Sequence, residues 1–300
     1  MGLLTGLKAA KALRLQKNGN AQEAKKIYED AFSEGLNDPR YILPYALLII
    51  REGEYRKAKE FLVKHQKAPL SPSQRTELLV YYATCCFRMG DVDKGIQTLE
   101  QQFRKGETGL LYQTLGYLYV VKYDRENTPD FAALAAEAAA AEKAAEAEYA
   151  ENAENAENAE GAEDSAGAEA ADGEAGNAEP KADPEEAWNA GIEHAEQFIR
   201  KSLEYDEEDP ICLDNMGQFV YRVLGDRPGA KEWFEKALNI KNNQIDTLYF
   251  LSRYDLEAGD SKAALEKLKT ASEGRFSPLN YCDRETIAQE IEKLKGAQGI

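Results

Sequence analysis

A period of 34 residues in the second half of the chain limits the fold more than any other feature of the sequence. Residues 210–243 are followed at once by residues 244–277, a second unit of the same length. In the first unit, apolar residues recur at helical spacing on both sides of a Gly225–Asp226 turn, at Leu213, Met216, Val220, Phe234 and Leu238. Each unit therefore predicts two antiparallel helices.

Small residues at Gly217, Ala230 and Ala237 let the two helices of a unit approach closely. One such hairpin cannot bury both of its faces, so the units have to stack. The pattern resembles the tetratricopeptide repeat, whose 34-residue helix-turn-helix units each cover the exposed side of a neighbour. The resemblance implies an all-α fold, a right-handed α-solenoid of helix pairs with a C-terminal capping helix.

The same pattern divides the whole chain. We assign repeats 1–3 and the first helix of repeat 4 to residues 1–122, and an acidic low-complexity insert to residues 123–186. The second helix of repeat 4 and repeats 5 and 6 take residues 187–277, and a capping helix with a tail takes residues 278–300. The junctions Asp38-Pro39 and Asp209-Pro210 end repeats 1 and 4, because proline presets φ for the next helix.

The insert interrupts repeat 4 between its two helices. The positions of close approach are 12 residues apart from Ala83 to Gly95 and 13 apart from Gly217 to Ala230, but 79 apart from Gly116 to Ala195. Because the entropy of loop closure rises only with the logarithm of length, we expect residues 112–122 and 187–203 still to pack as one antiparallel hairpin.

Within the insert, Thr128 and Pro129 predict a helix start, and alanine and glutamate favour a solvated helix from Ala132 to Ala150;. Beyond Tyr149 a Glu-Asn-Ala triplet repeats and large apolar residues are missing, so we expect disorder up to about residue 182;. Two interpretations stay open: neutral expansion of a simple repeat, or an acidic arm for a basic partner protein.

The acidity of the chain belongs to this one segment. The net charge is −17, from 54 acidic and 37 basic residues; 20 of the acidic and 3 of the basic residues lie at 124–187, which leaves 34 of each elsewhere. A neutral repeat array has no broad basic face, which argues against nucleic acid as the main ligand.

The cysteines indicate buried free thiols. Cys85, Cys86, Cys212 and Cys282 form no Cys-x-x-Cys pair and have no histidine at metal-ligand spacing;. No export signal and no apolar run of about 20 residues is evident, so we expect no membrane insertion and a cytoplasmic, reducing environment.

No pattern of catalytic residues is recognisable, so we expect no enzyme activity, no cofactor and no metal. Phosphate loops, nucleophile elbows and metal clusters are missing from the sequence;. His65 fits a packed or half-exposed position, and His194 fits a surface position.

The resemblance implies a concave groove lined by the first helices of the repeats, suited to a protein or peptide partner. Carrying the family's groove positions onto this sequence gives a set rich in arginine and aromatic residues: Leu47, Ile50, Arg51, Thr84, Phe87, Arg88, Tyr117, Val120, Gln218, Tyr221, Arg222, Tyr249 and Arg253. We therefore expect a non-enzymatic scaffold that binds its partner in the groove. The alternative is a regulatory or assembly subunit that docks an enzyme or a membrane-associated complex through its outer face.

Overall fold

The computed structural model describes residues 3–159 and 183–298, and the regular structure in these ranges is helical, with no β-strand among them. The chain divides into two compact units. The repeat unit consists of residues 1–125 and 195–300, and the insert unit consists of residues 126–194. Every helix in the described ranges is too short or too polar to cross a lipid bilayer.

The helices, in chain order, are α1 (Leu3–Lys17), α2 (Ala21–Ser33), α3 (Pro39–Arg51), α4 (Tyr55–Lys64), α5 (Pro72–Arg88), α6 (Val92–Phe103), α7 (Gly109–Lys122), α8 (Phe131–Ala159), α9 (Pro184–Tyr205), α10 (Pro210–Gln218, continued by a π-helical turn at Phe219–Leu224), α11 (Arg227–Ile240), α12 (Ile245–Glu257), α13 (Ser261–Ser272) and α14 (Arg284–Gln298). A short 3-10 turn covers Arg125–Asn127.

The helices pair as the 34-residue period predicts. Repeats 1, 2 and 3 are α1 with α2, α3 with α4, and α5 with α6; repeats 5 and 6 are α10 with α11 and α12 with α13. The prediction of an all-α solenoid of helix pairs is confirmed. We call the surface formed by the first helices α3, α5, α7, α10 and α12 the groove face.

Aspartates cap α3 and α10, the helices that begin at the Asp-Pro junctions after repeats 1 and 4. The Asp38 carboxylate accepts a hydrogen bond from the backbone N–H of Arg40 at 3.0 Å. The Asp209 carboxylate accepts from Ile211 N at 2.8 Å and from Cys212 N at 3.1 Å. These bonds satisfy helix N-terminal donors that have no partner within the helix, which is why the Asp-Pro junctions start new repeats.

The N-terminal repeats enclose an apolar core. Tyr28, Ile49 and Leu62 are fully or almost fully buried there. Small side chains at Ala24 and Ala58 let the helices of each pair approach, as the sequence pattern predicts. Removing this apolar surface from water supplies most of the packing energy of these repeats.

Repeat 5 has a π-helical turn that the sequence analysis did not predict. Residues Phe219–Leu224 form it, and Gly225 follows with φ of 73°, a conformation that favours glycine;. One extra residue accounts for the spacing of 13 instead of 12 between Gly217 and Ala230, because a π turn accommodates a single insertion within a helix. At Gly217 a Cβ atom would lie 2.7 Å from the Phe234 ring, so the predicted close approach is present.

Repeat 4 closes across the insert. The ring of Phe198 on α9 lies 5.4 Å from that of Tyr112 and 5.3 Å from that of Tyr119, both on α7. Tyr205, further along α9, contacts Tyr112 near the start of α7 at 4.9 Å. This order of contacts is that of two antiparallel helices, and Ile199 beside them is fully buried.

The insert unit begins its helix later than the sequence predicts. Asp130, not Thr128, caps α8: its carboxylate accepts from Ala133 N at 3.1 Å, and Pro129 lies before the helix. The Asp130 carboxylate only accepts hydrogen bonds, and Asp130 lies directly before the first helical residue, whereas Thr128 lies two positions earlier. The helix α8 then continues to Ala159, beyond the predicted end at Ala150. The disorder predicted beyond Tyr149 is therefore wrong for residues 150–159, which are helical, and the rest of that prediction, residues 160–182, lies outside the described ranges.

The capping helix is present at the predicted place. In α14, Ile287 is fully buried and Ile291 nearly so, and the helix packs against α13 of the last repeat. The Asp283 carboxylate caps it by accepting from Thr286 N at 2.7 Å. The helix therefore covers the apolar side that repeat 6 would otherwise expose.

Candidate protein-binding groove

A non-helical segment of the chain crosses the groove face. This segment, residues 273–283, connects α13 to α14, and we call it the strap. Arg88, at the end of α5, donates from Nε to the carbonyl oxygen of Pro278 at 2.6 Å and from Nη2 to that of Asn280 at 3.3 Å. The strap thus joins repeat 6 to repeat 3.

Asp246, near the start of α12, holds the other side of the strap. Its carboxylate accepts hydrogen bonds from the Asn280 side-chain amide at 3.0 Å, from Tyr281 N at 2.9 Å and from Cys282 N at 3.2 Å. The side chain is buried, and burial raises the pKa of Asp246 against the opposing effect of these hydrogen bonds;.

An aromatic contact completes the attachment. The ring of Tyr281 lies 5.1 Å from that of Phe250 and 5.7 Å from that of Tyr249, both on α12. The Arg222 guanidinium lies over the same ring, 4.4 Å from its centre. A guanidinium over an aromatic face is an attractive cation–π arrangement.

Arg222 also links the strap to the end of α7. It pairs with the Asp124 carboxylate at 2.7 Å and donates to the Gln218 side chain at 2.7 Å. Both charged side chains of the pair are about nine-tenths buried. Asp124, assigned to the insert from the sequence, therefore lies in the repeat unit, whose first part continues to Arg125.

A second buried carboxylate lies beneath, between α10 and α12. Asp214 accepts from Thr247 Oγ1 at 2.6 Å and from Gln218 Nε2 at 2.7 Å. Burial, and secondarily the nearby Asp246 carboxylate, raise the pKa of Asp214 to about 7;. The adjacent Asn215 donates to the backbone carbonyl of Gln113 on α7 at 2.8 Å, so polar contacts run across three first helices.

A cavity of about 370 Å³ remains between the strap and these helices. Its walls come from α7, α10, α12 and the strap, and include Tyr117, Asp214, Gln244, Asp246 and Asn280. The side-chain oxygen of Gln244 is buried and, among the described residues, accepts no hydrogen bond. A buried acceptor without a donor is costly, so the cavity is suited to a ligand group that donates a hydrogen bond.

The thirteen groove positions predicted from the sequence fall into two groups. Exposed or half-buried are Leu47, Arg51, Phe87, Arg88, Tyr221, Arg222 and Arg253. Buried are Ile50, Thr84, Tyr117, Val120, Gln218 and Tyr249. Of the whole set, Arg88, Arg222 and Tyr249 contact the strap directly. The role of the set in partner binding stays a prediction.

Leu47 and Arg51 line a different cavity, also of about 370 Å³, with Glu77 and Tyr81 on α5 and Arg275 of the strap. Burial lowers the pKa of Arg51, and the positive charge of Arg275 lowers it further. Of the predicted groove positions, Leu47 and Arg51 thus line this cavity and Tyr117 lines the first one, while Arg275 of the strap lines both.

Sequence reasoning missed the strap and its attachment residues, Asp246, Asn280 and Tyr281. One signal was the connection itself, which has 11 residues between α13 and α14 where α11 and α12 are joined by four. A second signal was an aspartate within the strongly apolar start of α12.

The histidines and cysteines do not form a reactive site in the described residues. His65 packs on the rings of Phe61 and Phe32, and burial lowers its pKa. All four cysteines are buried free thiols, as predicted, and burial raises the pKa of Cys85 and of Cys212 to about 12. Across residues 3–159 and 183–298 no cluster of side chains is placed to hold a metal ion.

Comparisons with known proteins agree with this architecture. The family model of anaphase-promoting complex, cyclosome, subunit 3 matches residues 17–102, and no curated protein matches the chain. TTC0263, a thermophilic TPR protein in Thermus thermophilus, superimposes with a TM-score of 0.53 at 14% identity, over 88% of this chain and all of that one.

Two further solved structures are similar. PilW, a type IV pilus biogenesis factor, gives a TM-score of 0.52 at 12% identity and covers 98% of this chain and 99% of its own. A chain of the APC/C hetero-tetramer Cut9-Hcn1 gives 0.51 at 14% identity over 95% of this chain, which spans 42% of that one. With the 34-residue period and the stacked helix pairs, these similarities show that the chain has the fold of tetratricopeptide repeat proteins.

Proposed function

We propose that the chain is a non-enzymatic scaffold that binds an extended segment of a partner protein on its groove face. The fold itself is one of protein-interaction scaffolds. The observation that carries the proposal is the pairing of arginine and aromatic side chains on the first helices. Arg88 lies 5.0 Å from the Phe87 ring centre, and Arg253 lies 4.4 Å from that of Tyr249.

Arginine and aromatic residues dominate the binding energy of protein interfaces, because they offer large rigid surfaces together with several hydrogen-bond donors. On this groove face Tyr117 lines one cavity that the repeats leave unfilled, and Arg51 and Tyr81 line another. An extended partner segment can enter a groove and form hydrogen bonds through the donors along its backbone. A folded partner would instead need a flat surface to bind to.

The test uses a displayed library of random peptides, selected on the full chain and then measured in solution. We expect the selected peptides to bind at least tenfold more weakly to the double variant Arg51→Ala, Arg88→Ala, since both side chains are exposed or half-buried on the groove face. Arg222 is not a suitable test residue because it holds the buried Asp124.

Matched controls are Lys231→Ala and Lys236→Ala on α11, whose ammonium groups lie on exposed positions of a second helix. These variants should bind the selected peptides as the unmodified chain does. Unchanged affinity of the arginine variant would overturn the groove proposal. Loss of binding in the α11 variants would favour the alternative in which the outer face docks a larger complex.

A further inference from the structure

The strap is attached to the groove face mostly through its backbone. Arg88 donates to two strap carbonyls, and the Asp246 carboxylate accepts from two consecutive strap N–H groups. Hydrogen bonds to backbone atoms do not depend on the side chains of the strap. Any extended segment therefore offers Arg88 and Asp246 the same carbonyl and N–H groups.

Two side-chain contacts add selectivity at neighbouring positions. The Asn280 amide donates to Asp246, and the Tyr281 ring is held between the Arg222 guanidinium and the Phe250 ring. This part of the groove therefore binds an amide side chain followed by an aromatic side chain.

The strap does not fill the site it occupies. Tyr281 is 40% exposed, and Cys282 is the only fully buried side chain between Glu273 and Asp283. The cavity beside the strap is left open, and the Gln244 side-chain oxygen within it lacks a donor among the described residues. Among the side chains of the strap itself, release thus exposes only one that is fully buried, and another occupant can make contacts that the strap does not make.

We propose that residues 277–282 are an intramolecular stand-in for a partner peptide. The partner is an extended segment with Asn or Gln followed by an aromatic residue, and it binds by displacing the strap from Arg88, Asp246 and Arg222. This inference rests on the proposed function and adds the chemistry of the partner and the control of access. Because a tethered segment has an effective concentration of about 1 mM, the strap selects against weak ligands.

The test uses a fluorescent peptide of residues 275–284 in which serine replaces Cys282. The double variant Asn280→Ala, Tyr281→Ala of the full chain should bind this peptide at least tenfold more tightly than the unmodified chain, because its own strap is weakened. A peptide with alanine at the Tyr281 position should lose at least tenfold in affinity. Adding Asp246→Asn to the double variant should abolish binding.

Lys236→Ala is the matched control for the protein, and a peptide of the same composition in scrambled order is the control for the ligand. The first should behave as the unmodified chain does, and the second should not bind. Equal affinity of the double variant and the unmodified chain would overturn the proposal. Self-association of the double variant in place of peptide binding would overturn it too, since a second copy would then be the occupant.

A measurement on the unmodified chain keeps the proposal testable if the variants fold poorly. Hydrogen exchange of the Tyr281 and Cys282 amides should be at least 100-fold faster than that of buried amides in α12, because the strap opens without unfolding of the repeats. Exchange at the rate of global unfolding would make the strap a fixed part of the fold and overturn the proposal. Library peptides that bind while these two amides stay protected would leave the proposed function standing and overturn only this inference.

Discussion

Repeats 1 and 2 and repeats 5 and 6 have the same helix pairs but bury different side chains. The first two repeats bury tyrosine, leucine, isoleucine and alanine, with His65 as the buried polar residue among those described. The last two bury a set of carboxylate, amide and hydroxyl groups: Asp214, Asn215, Gln218, Gln244, Asp246, Thr247 and Ser252.

The difference follows the position of the strap. Buried polar groups are costly unless they are hydrogen-bonded, so they specify geometry more than they add stability. In repeats 5 and 6 they orient Asp246 and Arg222 toward the strap, whereas repeats 1 and 2 only need to pack. The same repeat pattern thus serves as an apolar support at one end and as a shaped polar site at the other.

The largest expected effect is in the polar region. Asp124→Ala should lower the free energy of unfolding of repeats 4–6 by about 3–5 kcal/mol, because Arg222 would be left buried without its carboxylate;. Urea unfolding measures the loss. Glu232→Ala, which breaks an exposed pair with Lys236, should change stability far less, because solvent screens exposed pairs;. Equal losses in the two variants would mean that the buried pair of Asp124 and Arg222 supports the polar region no more than an exposed pair does.

A comparable effect is expected from the apolar region by a different mechanism. Leu62→Ala should cost about 2–5 kcal/mol through lost burial and an unfilled cavity, because Leu62 is fully buried;. Its neighbour Val63 is 45% exposed, so Val63→Ala is the matched control with a small effect. The loss for Leu62→Ala should be the same at pH 5 and pH 8. A pH-dependent loss would show that titrating groups also support the apolar repeats.

A smaller effect is the pH dependence of stability that Asp214 contributes in repeats 5 and 6. Because the pKa of Asp214 is raised to about 7 in the folded chain, its contribution is fully present below the unfolded pKa near 4 and is lost as the pH rises through 7;. We expect a decrease on the order of 1 kcal/mol, measured by urea unfolding of the unmodified chain against Asp214→Asn. Identical pH slopes for the two proteins would argue against it.

Removal of the insert is expected to leave the repeats intact. Replacing residues 126–183 with a short Gly-Asp linker should keep the repeats folded and raise stability by less than about 2.5 kcal/mol, because closure entropy depends on the logarithm of loop length. Circular dichroism and urea unfolding test this. A deletion that also removes Asp124 and Arg125 should instead show the loss described for Asp124→Ala. Collapse of repeats 4–6 in the shorter deletion would mean that the insert supports the fold.

The repeat architecture could be predicted because it depends on local patterns. Glycine at the turns, alanine or glycine at the positions of close approach and aspartate before proline at two junctions mark the helix pairs, and stacking follows from the exposed apolar faces. Phe198 could be assigned to a helix that closes repeat 4 for the same reason, although the insert separates it from Tyr112.

The site could not be predicted to the same extent because it depends on contacts between distant residues. Nothing in the sequence near Arg88 indicates a contact with Pro278. An aspartate near the start of a helix, such as Asp246, does not by itself indicate that it binds the strap. The π turn had a visible signal in the spacing of 13 from Gly217 to Ala230, but spacing alone does not say which way Arg222 turns. The groove positions carried over from the family predicted which helices line the groove. The burial of each side chain in the structure then separated the exposed residues of that set from the buried ones.

The strap has a consequence for the order in which the chain folds. Helix pairs of a repeat array form from contacts close in sequence, whereas Arg88 and the strap residues it binds are 190 and 192 positions apart;. The strap can therefore dock only after repeats 3 and 6 have both formed. During synthesis from the N-terminus, the groove face of the early repeats is complete while residues 273–283 are still in the ribosome, so a newly made chain passes through a period with an open groove.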